Sequence, residues 1–505
     1  MNQKKAGAIL SYIHMVVNTV INLLYVPLLL YYIGQSEYGL YKLLASFIAY
    51  FGVMDVGLNA AVIRFYTHYL TLRNNDKIDI LLGMSSRFYL GISLLLVLFA
   101  GIVFFNLDKI FGESLTPKEL QEAYQIFALL VFNVVFSLGS QIYKAVIIAH
   151  ERFVLLKGSA LLRILFQPLV IIVALQYYQN ALVVVAIQSL FNLFNTLIYV
   201  WYAYNKLSIR ISYHGMDRSM IMEMKNLAIS ILVVFIVDQI FWETNQILLG
   251  MYVGTATVAV YAVASQIYVN YCQFSTIIPE VLGPKMTTMV SLGATEKDLS
   301  EEFIKIGRIQ YFFSLGIVIG FFLFGKEFII LWAGETFADA YWIALFIIIP
   351  RTIEVVQNLG LVILQAQNRY GIRAKVYSLS GIANILLVLI IIKTYGGIGC
   401  ALVTGGIIFV SNGLFMNLYY ARNIHLQIKR FWIELGKISF VAMPVLFIGW
   451  ILNSFLDDST LLVLIFKLLI FLLTYCYLVY CFAMNRYERD LFSLAGIMRK
   501  LHVMG

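Results

Sequence analysis

Residues 79–105 read DILLGMSSRFYLGISLLLVLFAGIVFF, and this stretch indicates the fold. Asp79 and Arg87 are its only charged side chains, and most of the remaining residues are apolar. A helix that crosses a lipid bilayer needs about 20 mainly apolar residues, which this stretch supplies. A β-strand is excluded because the stretch is too long and does not alternate between apolar and polar residues. We therefore predict a membrane-spanning helix.

Comparable apolar stretches recur along the whole chain. Of its 505 residues, 61% are hydrophobic and 12% are charged, whereas soluble domains are about a quarter charged. This composition excludes an ordinary soluble enzyme, and the four cysteines lack the spacing of a disulfide framework or a zinc site. We predict an all-α polytopic membrane protein with about fourteen transmembrane helices, the first retained because it lacks a cleavage site. Their approximate ranges are 8–32, 40–63, 79–105, 121–148, 154–178, 181–204, 227–252, 257–282, 308–332, 340–365, 374–394, 398–420, 432–453 and 460–484.

The positive charges give these helices a direction. If the N-terminus is cytoplasmic, 26 of the 36 Lys and Arg residues fall in inside segments. The outside segments hold only Lys109, Lys118, Lys326 and Lys393. Cytoplasmic loops of membrane proteins carry this excess of positive charge. We therefore predict that both termini are cytoplasmic, and we assign the net charge of +9 to membrane topology rather than to nucleic-acid binding.

The chain contains a weak internal repeat. YIGQSEYGLY at 32–41 is similar to YVGTATVAVY at 252–261, and AHERF at 149–153 is similar to AQNRY at 366–370. Each pair falls at equivalent positions of two six-helix halves, which therefore point the same way through the membrane. Parallel repeats of this kind are typical of transporters. The predicted domains are an N-terminal lobe (1–205), a cytoplasmic linker (206–226), a C-terminal lobe (227–421), helices thirteen and fourteen (422–485) and a cytoplasmic tail (486–505).

Polar side chains lie along single faces of several predicted helices. Such groups are costly in hydrocarbon and usually face a bundle interior or a watery cavity. The stripes predict a shared aqueous chamber, and ordinary hydrogen bonds between helices are the alternative. In the first lobe the candidates for contact with a substrate are His14, Asn18 and Asn22 on helix one and Gln141 and Lys144 on helix four.

Three charged residues of the first lobe lie deep in their helices. Arg87, Arg163 and Asp55 are each about eight residues, or about 12 Å, from the predicted cytoplasmic ends. Two guanidinium groups at the same depth predict a phosphate-binding site, because guanidinium offers paired donors to phosphate oxygens. Alternatively, Asp55 neutralises one of the two arginines in a structural ion pair.

One acid of the second lobe stands out as a coupling site. Asp238 is near the middle of its predicted helix and has no cationic neighbour there. Burial favours the protonated form of such a carboxyl group unless a cation is bound. Asp238 is therefore the first candidate for a proton or cation site. No nucleophile, phosphate-loop or metal-ligand motif is present, so we expect neither an enzyme nor a cofactor.

The sequence resembles a known family in three segments. These are IGQSEYGLYKLLASFIAYFGVMDVGLNAAVIRFY (33–66), LLGMYVGTATVAVYAVASQIYVNY (248–271) and YGGIGCALVTGG (395–406). They are similar to Wzx-type polysaccharide flippases of the MOP exporter superfamily, which also contains multidrug MATE exporters and the lipid II flippase. The resemblance implies translocation of an undecaprenyl-pyrophosphate-linked oligosaccharide across the bacterial cytoplasmic membrane, for O-antigen, capsule or exopolysaccharide synthesis. Membrane lipids, a polysaccharide polymerase and chain-length machinery are the other implied partners.

The resemblance also bears on coupling. Lipid II flippases bind sodium in the second lobe, and Asp238 matches their acid on helix seven. Asn384 and Thr404 are the implied partners, but Val388 stands where a second carboxylate is expected. Coupling to Na⁺ and coupling to H⁺ through Asp238 or Glu243 therefore both remain open.

Two other classes of function fit the sequence less well. A cation-coupled MATE-like exporter of small molecules would need acids rather than arginines in the first lobe. A membrane polysaccharide polymerase or glycosyltransferase would need a large outer loop or acids near the surface, and every predicted outer loop is short.

Overall fold

The computed structural model describes residues 3–213, 220–224, 235–237, 239–367, 369–456 and 460–492. This part of the chain is helical and contains no strand. The helices are α1 (Gln3–Thr71), α2 (Asn75–Phe104), α3 (Leu107–Phe111), α4 (Pro117–Ala149), α5 (Phe153–Leu175), α6 (Ala181–Lys206), α7 (Thr244–Tyr252), α8 (Thr255–Ser291), α9 (Glu296–Ala333), α10 (Ala340–Val356), α11 (Asn358–Ala366), α12 (Gly371–Ile408), α13 (Asn417–Asn423), α14 (Ile428–Phe455), α15 (Leu461–Leu478) and α16 (Arg486–Phe492).

Two of these helices each contain a turn at a glycine. Gly34 has φ 77° inside α1, and Gly396 has φ 52° inside α12. Residues with a Cβ rarely adopt positive φ, so glycine is the residue that allows the chain to kink here. The turns lie in the predicted gaps between helices one and two and between helices eleven and twelve.

Other departures from regular α-helix occur in the C-terminal half. Helices α10 and α11 are bent by 43° at a break of one residue, Gln357. A π-helical segment, Phe409–Met416, joins α12 to α13, and a second one, Val479–Ala483, follows α15. π-Helical turns are uncommon and often occur at functional sites.

The membrane character of the fold is confirmed. Within the described residues, nine helices are long and apolar enough to cross a membrane, and the bent pair α10–α11 is a tenth. Two of the nine contain the turns at Gly34 and Gly396, so each of these covers two predicted spans. The all-α polytopic prediction is therefore correct, and the count of fourteen stays a prediction.

The described chain divides into two compact units. The first comprises Met1–Ala262 and Leu389–Gly396, and the second comprises Val263–Val388 and Gly397–Gly505. These bounds reflect packing within each unit, and the predicted domain boundaries stay predictions.

In the first unit, α1 packs along α4 and α5, and α4 packs on α6 and α2. Close approach occurs where the second half of α1 meets the start of α8. A Cβ added at Gly39 would lie 1.9 Å from the Thr255 carbonyl oxygen, so only glycine fits. This packing fixes the frame on which α2, α5 and α6 carry the polar residues of the site.

In the second unit, α9 packs against α10, α14 and α15. Phe324, Phe471 and Tyr475 are central to one apolar cluster, and Phe303 and Phe431 to another. Helices α14 and α15 correspond to predicted helices thirteen and fourteen, and these contacts join them to the second unit.

Three ion pairs made by two cations reinforce these contacts. Lys467 on α15 is fully buried and donates to Glu327 on α9 at 3.2 Å. Arg308 on α9 binds Glu488 on α16 through Nε (2.7 Å) and Nη2 (3.0 Å), and it binds Glu434 on α14 through Nη1 (2.8 Å). All three pairs join helices that are distant in sequence.

Candidate functional site

Arg163 on α5 is the centre of a polar network in the first unit. Its Nε donates to Gln167 Oε1 at 3.0 Å, one turn along the same helix, and its Nη1 donates to Asn192 Oδ1 on α6 at 3.1 Å. Asn192 Nδ2 in turn donates to Asn133 Oδ1 on α4 at 2.5 Å. Among the described residues Nη2 has no hydrogen-bond partner, although the side chain is half-buried. The guanidinium is thus fixed by two amides and keeps one nitrogen for a ligand.

Hydroxyl and amide groups extend the network along α5 and α6. Ser159 Oγ lies 3.2 Å from the Tyr199 hydroxyl, which also accepts from Asn195 Nδ2 at 3.2 Å. On the α1 side, the Tyr41 hydroxyl and the Gln188 amide are hydrogen-bonded at 3.0 Å. Paired amides and hydroxyls of this kind can bind either the hydroxyl groups of a sugar or water.

Asp55 lies apart from both arginines. Its Oδ1 accepts from the Tyr89 hydroxyl on α2 at 2.9 Å, and the carboxylate is close enough to Lys144 to be attracted by it. No ion pair joins Asp55 to Arg87 or Arg163 in the part of the chain that the structure describes. The alternative in which Asp55 neutralises an arginine is therefore wrong, because a tyrosine hydroxyl takes that place.

The remaining substrate candidates lie in the same unit. Lys144 is half-buried, and Gln141 has a buried Oε1 without a hydrogen-bond partner among the described residues. Asn22 Nδ2 donates to Asn18 Oδ1 at 3.1 Å, which agrees with their spacing on one face of α1. His14 is half-buried on the same helix. Their roles in substrate binding stay predictions.

Arg87 has different partners from Arg163. It is exposed on α2, where Nη2 donates to the backbone carbonyl of Tyr213 and the guanidinium lies 5.9 Å from the centre of the Tyr213 ring. No described hydrogen bond joins Arg87 to Arg163 or to its partners. The two guanidinium groups thus share no hydrogen-bond partner in the described part of the chain, and the phosphate site made of both arginines stays a prediction.

The predicted coupling residues fall in both units. Asp238 lies outside the described residues. Glu243 is half-buried in the first unit, where Lys42 attracts it. In the second unit, the Thr404 hydroxyl donates to Asn384 Oδ1 at 2.9 Å, and both residues are buried. No group of three metal-ligating side chains occurs in the described ranges.

Sequence reasoning missed a closed polar ring in the second unit. Glu354 on α10 accepts from Arg351 (2.5 Å), from Arg373 on α12 (2.7 Å) and from Asn412 in the π-helical segment (3.0 Å). Arg373 Nη1 closes the ring by donating to Asn412 Oδ1 at 2.6 Å. The spacing of three between Arg351 and Glu354 signals only the first of these contacts. Nothing in the local sequence links Arg373 or Asn412 to the other two.

Comparison with solved structures identifies the fold. The chain is similar to the lipid II flippase MurJ in an inward closed conformation, with a TM-score of 0.73, 15% identity, and 96% of this chain and 99% of that chain covered. It is also similar to an inward-facing MATE family multidrug resistance transporter of the MOP superfamily, with a TM-score of 0.65, 10% identity, and coverage of 82% and 96%. It is also similar to a point mutant of the Vibrio cholerae MATE transporter VcmN, with a TM-score of 0.53 and 12% identity. That match covers 84% of this chain and 99% of the other. At these identities the likeness concerns the fold.

Sequence comparison identifies the family. The chain matches none of the curated proteins searched. The family model described as "Polysaccharide biosynthesis protein" matches residues 5–290, which is more than half of the chain. The family and its structural neighbours are flippases and transporters rather than enzymes. This chain therefore belongs to the polysaccharide biosynthesis protein family, the family of Wzx-type flippases.

Proposed function

We propose that this protein flips an undecaprenyl-pyrophosphate-linked oligosaccharide repeat unit from the inner to the outer leaflet of the bacterial cytoplasmic membrane. It works by alternating access, with both termini in the cytoplasm, and supplies O-antigen, capsule or exopolysaccharide synthesis. The observation that carries the proposal is Arg163, a guanidinium held by two amides inside an apolar helix with one nitrogen available to an anion.

The chemistry of Arg163 suits a phosphate. Guanidinium is always charged and matches phosphate oxygens with parallel N–H donors. Such charge-assisted hydrogen bonds are about twice as strong as neutral ones. Lys144, which is half-buried on α4, is a second cation within the same unit. We assign the pyrophosphate to Arg163 with Lys144, and we place Arg87 on its path.

The sugars require many weaker contacts. The amides of Asn18, Asn22 and Gln141, together with His14, offer donors and acceptors without one fixed geometry. Asp55 can accept from a sugar hydroxyl through its second oxygen. This set tolerates varied sugars because no single hydrogen bond decides binding.

The direction of transport agrees with the charge of the substrate. Moving an anion outward, away from a negative interior, is favoured by about 2.3 kcal/mol per charge per 100 mV. A coupling Na⁺ or H⁺ adds to this driving force. We propose Asp238 or Glu243 as its site, and the assignment of Asn384 and Thr404 to sodium stays a proposal from the resemblance.

The coupling proposal predicts a specific change in gradient dependence. We expect Asp238→Asn or Glu243→Gln to make transport by proteoliposomes insensitive to an imposed Na⁺ or H⁺ gradient, because the neutral amide cannot exchange its charge. Glu301→Gln is the control, since Glu301 is an exposed acid paired with Arg430. Unchanged gradient dependence in both variants would reject both acids.

The proposed function itself is tested in cells and in vesicles. Depletion of the protein is expected to accumulate an undecaprenyl-linked oligosaccharide in the inner leaflet and to stop delivery to the polymerase and chain-length machinery. Purified protein in vesicles is expected to move that lipid, but not a cationic drug, to the opposite leaflet. Drug transport without lipid transport would instead indicate a MATE-like exporter.

A further inference from the structure

The segment after α6, residues 207–213, folds back over the first turns of α2, and we call it the strap. The Leu207 and Ile209 amides still donate to carbonyls of α6, at 3.3 Å each. Ser208 between them has φ 51°, a left-handed conformation that a residue with a Cβ rarely adopts. The turn at Ser208 directs the following residues away from the axis of α6.

Backbone contacts hold the strap against α2. The Ser212 amide donates to the Asp79 carbonyl at 3.2 Å. One turn further along α2, a Cβ added at Gly83 would lie 1.8 Å from the Ser212 carbonyl oxygen. The strap can lie this close only because Gly83 has no side chain.

Side chains of α2 hold the end of the strap. Arg87 Nη2 donates to the Tyr213 carbonyl, and Ser86 Oγ lies 3.3 Å from the Tyr213 hydroxyl. Positions 79, 83, 86 and 87 share one face of the helix, so Ser212 and Tyr213 contact a single stripe of α2. Arg87 supplies the charged group of this stripe that contacts Tyr213.

The bond from Arg87 to the strap is one that a phosphate can replace. A backbone carbonyl is a neutral acceptor, whereas a phosphate oxygen is anionic and binds guanidinium more strongly. Arg87 is exposed and therefore accessible to such a group. Once Arg87 binds elsewhere, the Ser212 amide bond and the Tyr213 hydroxyl contact are the described hydrogen bonds that still hold the strap on α2.

We propose that the strap is a substrate-released restraint: the phosphate of the lipid-linked substrate takes Arg87 from the Tyr213 carbonyl, and residues 209–213 leave α2. The strap is the first part of the predicted linker (206–226), so its release frees residues 209–213 from α2. Phosphate binding would thereby permit the rearrangement that alternating access needs. This inference rests on the proposed function.

Hydrogen–deuterium exchange of the full-length protein in detergent tests the proposal. We expect the amides of the strap, that of Ser212 above all, to exchange about tenfold faster when undecaprenyl pyrophosphate is bound, since a charge-assisted hydrogen bond is lost. Inorganic pyrophosphate at saturation is expected to act in the same way, which would support the phosphate as the recognised group. An equal rise with phosphatidylglycerol vesicles alone would overturn the assignment to the substrate.

Variants distinguish the release of the strap from the binding of the lipid. Gly83→Ala is expected to make the strap amides exchange fast without ligand, while lipid binding persists. If Gly83→Ala does not fold, Ser212→Pro takes its place, because it removes the amide donor. Arg87→Gln can still donate to the Tyr213 carbonyl but carries no charge, so its strap should stay protected when lipid is added. If the lipid binds the wild type but the strap amides do not exchange faster, the proposed release of the strap is overturned and the proposed function is not. If the lipid does not bind the wild type, both the proposed release of the strap and the proposed function are overturned.

Discussion

Arg163→Ala is expected to lower lipid transport at least about a hundredfold while the protein still inserts and folds. The variant removes charge-assisted hydrogen bonds to phosphate that are worth about 1.5–3 kcal/mol each. It also leaves Gln167 and Asn192 without the group that they orient. Transport is measured as surface polysaccharide in a depleted strain and as movement of the undecaprenyl-linked lipid in vesicles.

Two further variants make this result specific. Arg163→Lys keeps the charge but not the planar donors, so an intermediate loss is expected. Arg152→Ala is the matched control, because Arg152 is an exposed arginine at the start of the same helix. Normal polysaccharide in Arg163→Ala, with protein levels equal to wild type, would exclude Arg163 as the phosphate ligand.

Arg308→Met is expected to give the largest loss of stability, about 3–5 kcal/mol. Glu488 has a fully buried side chain, and Arg308 donates to both of its carboxylate oxygens. Removing the cation leaves that carboxylate buried without its charge partner, which is the costly situation for an ion pair. Thermal unfolding of the purified protein, and proteolysis at α16, measure the effect.

The control lies on the neighbouring helix. Arg430 pairs with Glu301, and both side chains are 48% exposed, so Arg430→Ala should cost less than about 1 kcal/mol. Adding Glu488→Gln to Arg308→Met should restore part of the lost stability, because the buried charge disappears. Equal losses in Arg308→Met and Arg430→Ala would contradict the assignment of Arg308 as the anchor of α16.

The fold was predictable because its signals are local. Apolar runs such as 79–105 require no partner to be identified, and Gly34 and Gly396 mark turns through their own backbone freedom. The bend at Gln357 and the π-helical segment around Asn412 have no such signal. Gln357 and Asn412 make polar contacts with other helices, which one sequence does not reveal.

The site was predictable in its residue types and less so in its pairings. Arg163 is conspicuous because a charge deep in an apolar stretch is rare. Its partner Asn192 is on the next helix, and the Tyr89 hydroxyl that binds Asp55 is 34 positions away, so neither contact follows from spacing. The contact of Arg87 with Tyr213 depends on the strap, whose direction is set by one strained residue, Ser208.

The buried pair of Lys467 and Glu327 has a consequence for biogenesis. A lysine in a nascent transmembrane helix opposes release from the translocon, by up to about 2.5–3.5 kcal/mol at the helix centre. Lys467 donates to Glu327 at 3.2 Å. When Lys467 leaves the ribosome, Glu327 has already been synthesised as part of α9. Integration of α15 into the bilayer is therefore assisted by a helix already in place, and the order of synthesis becomes part of how the last spans are assembled.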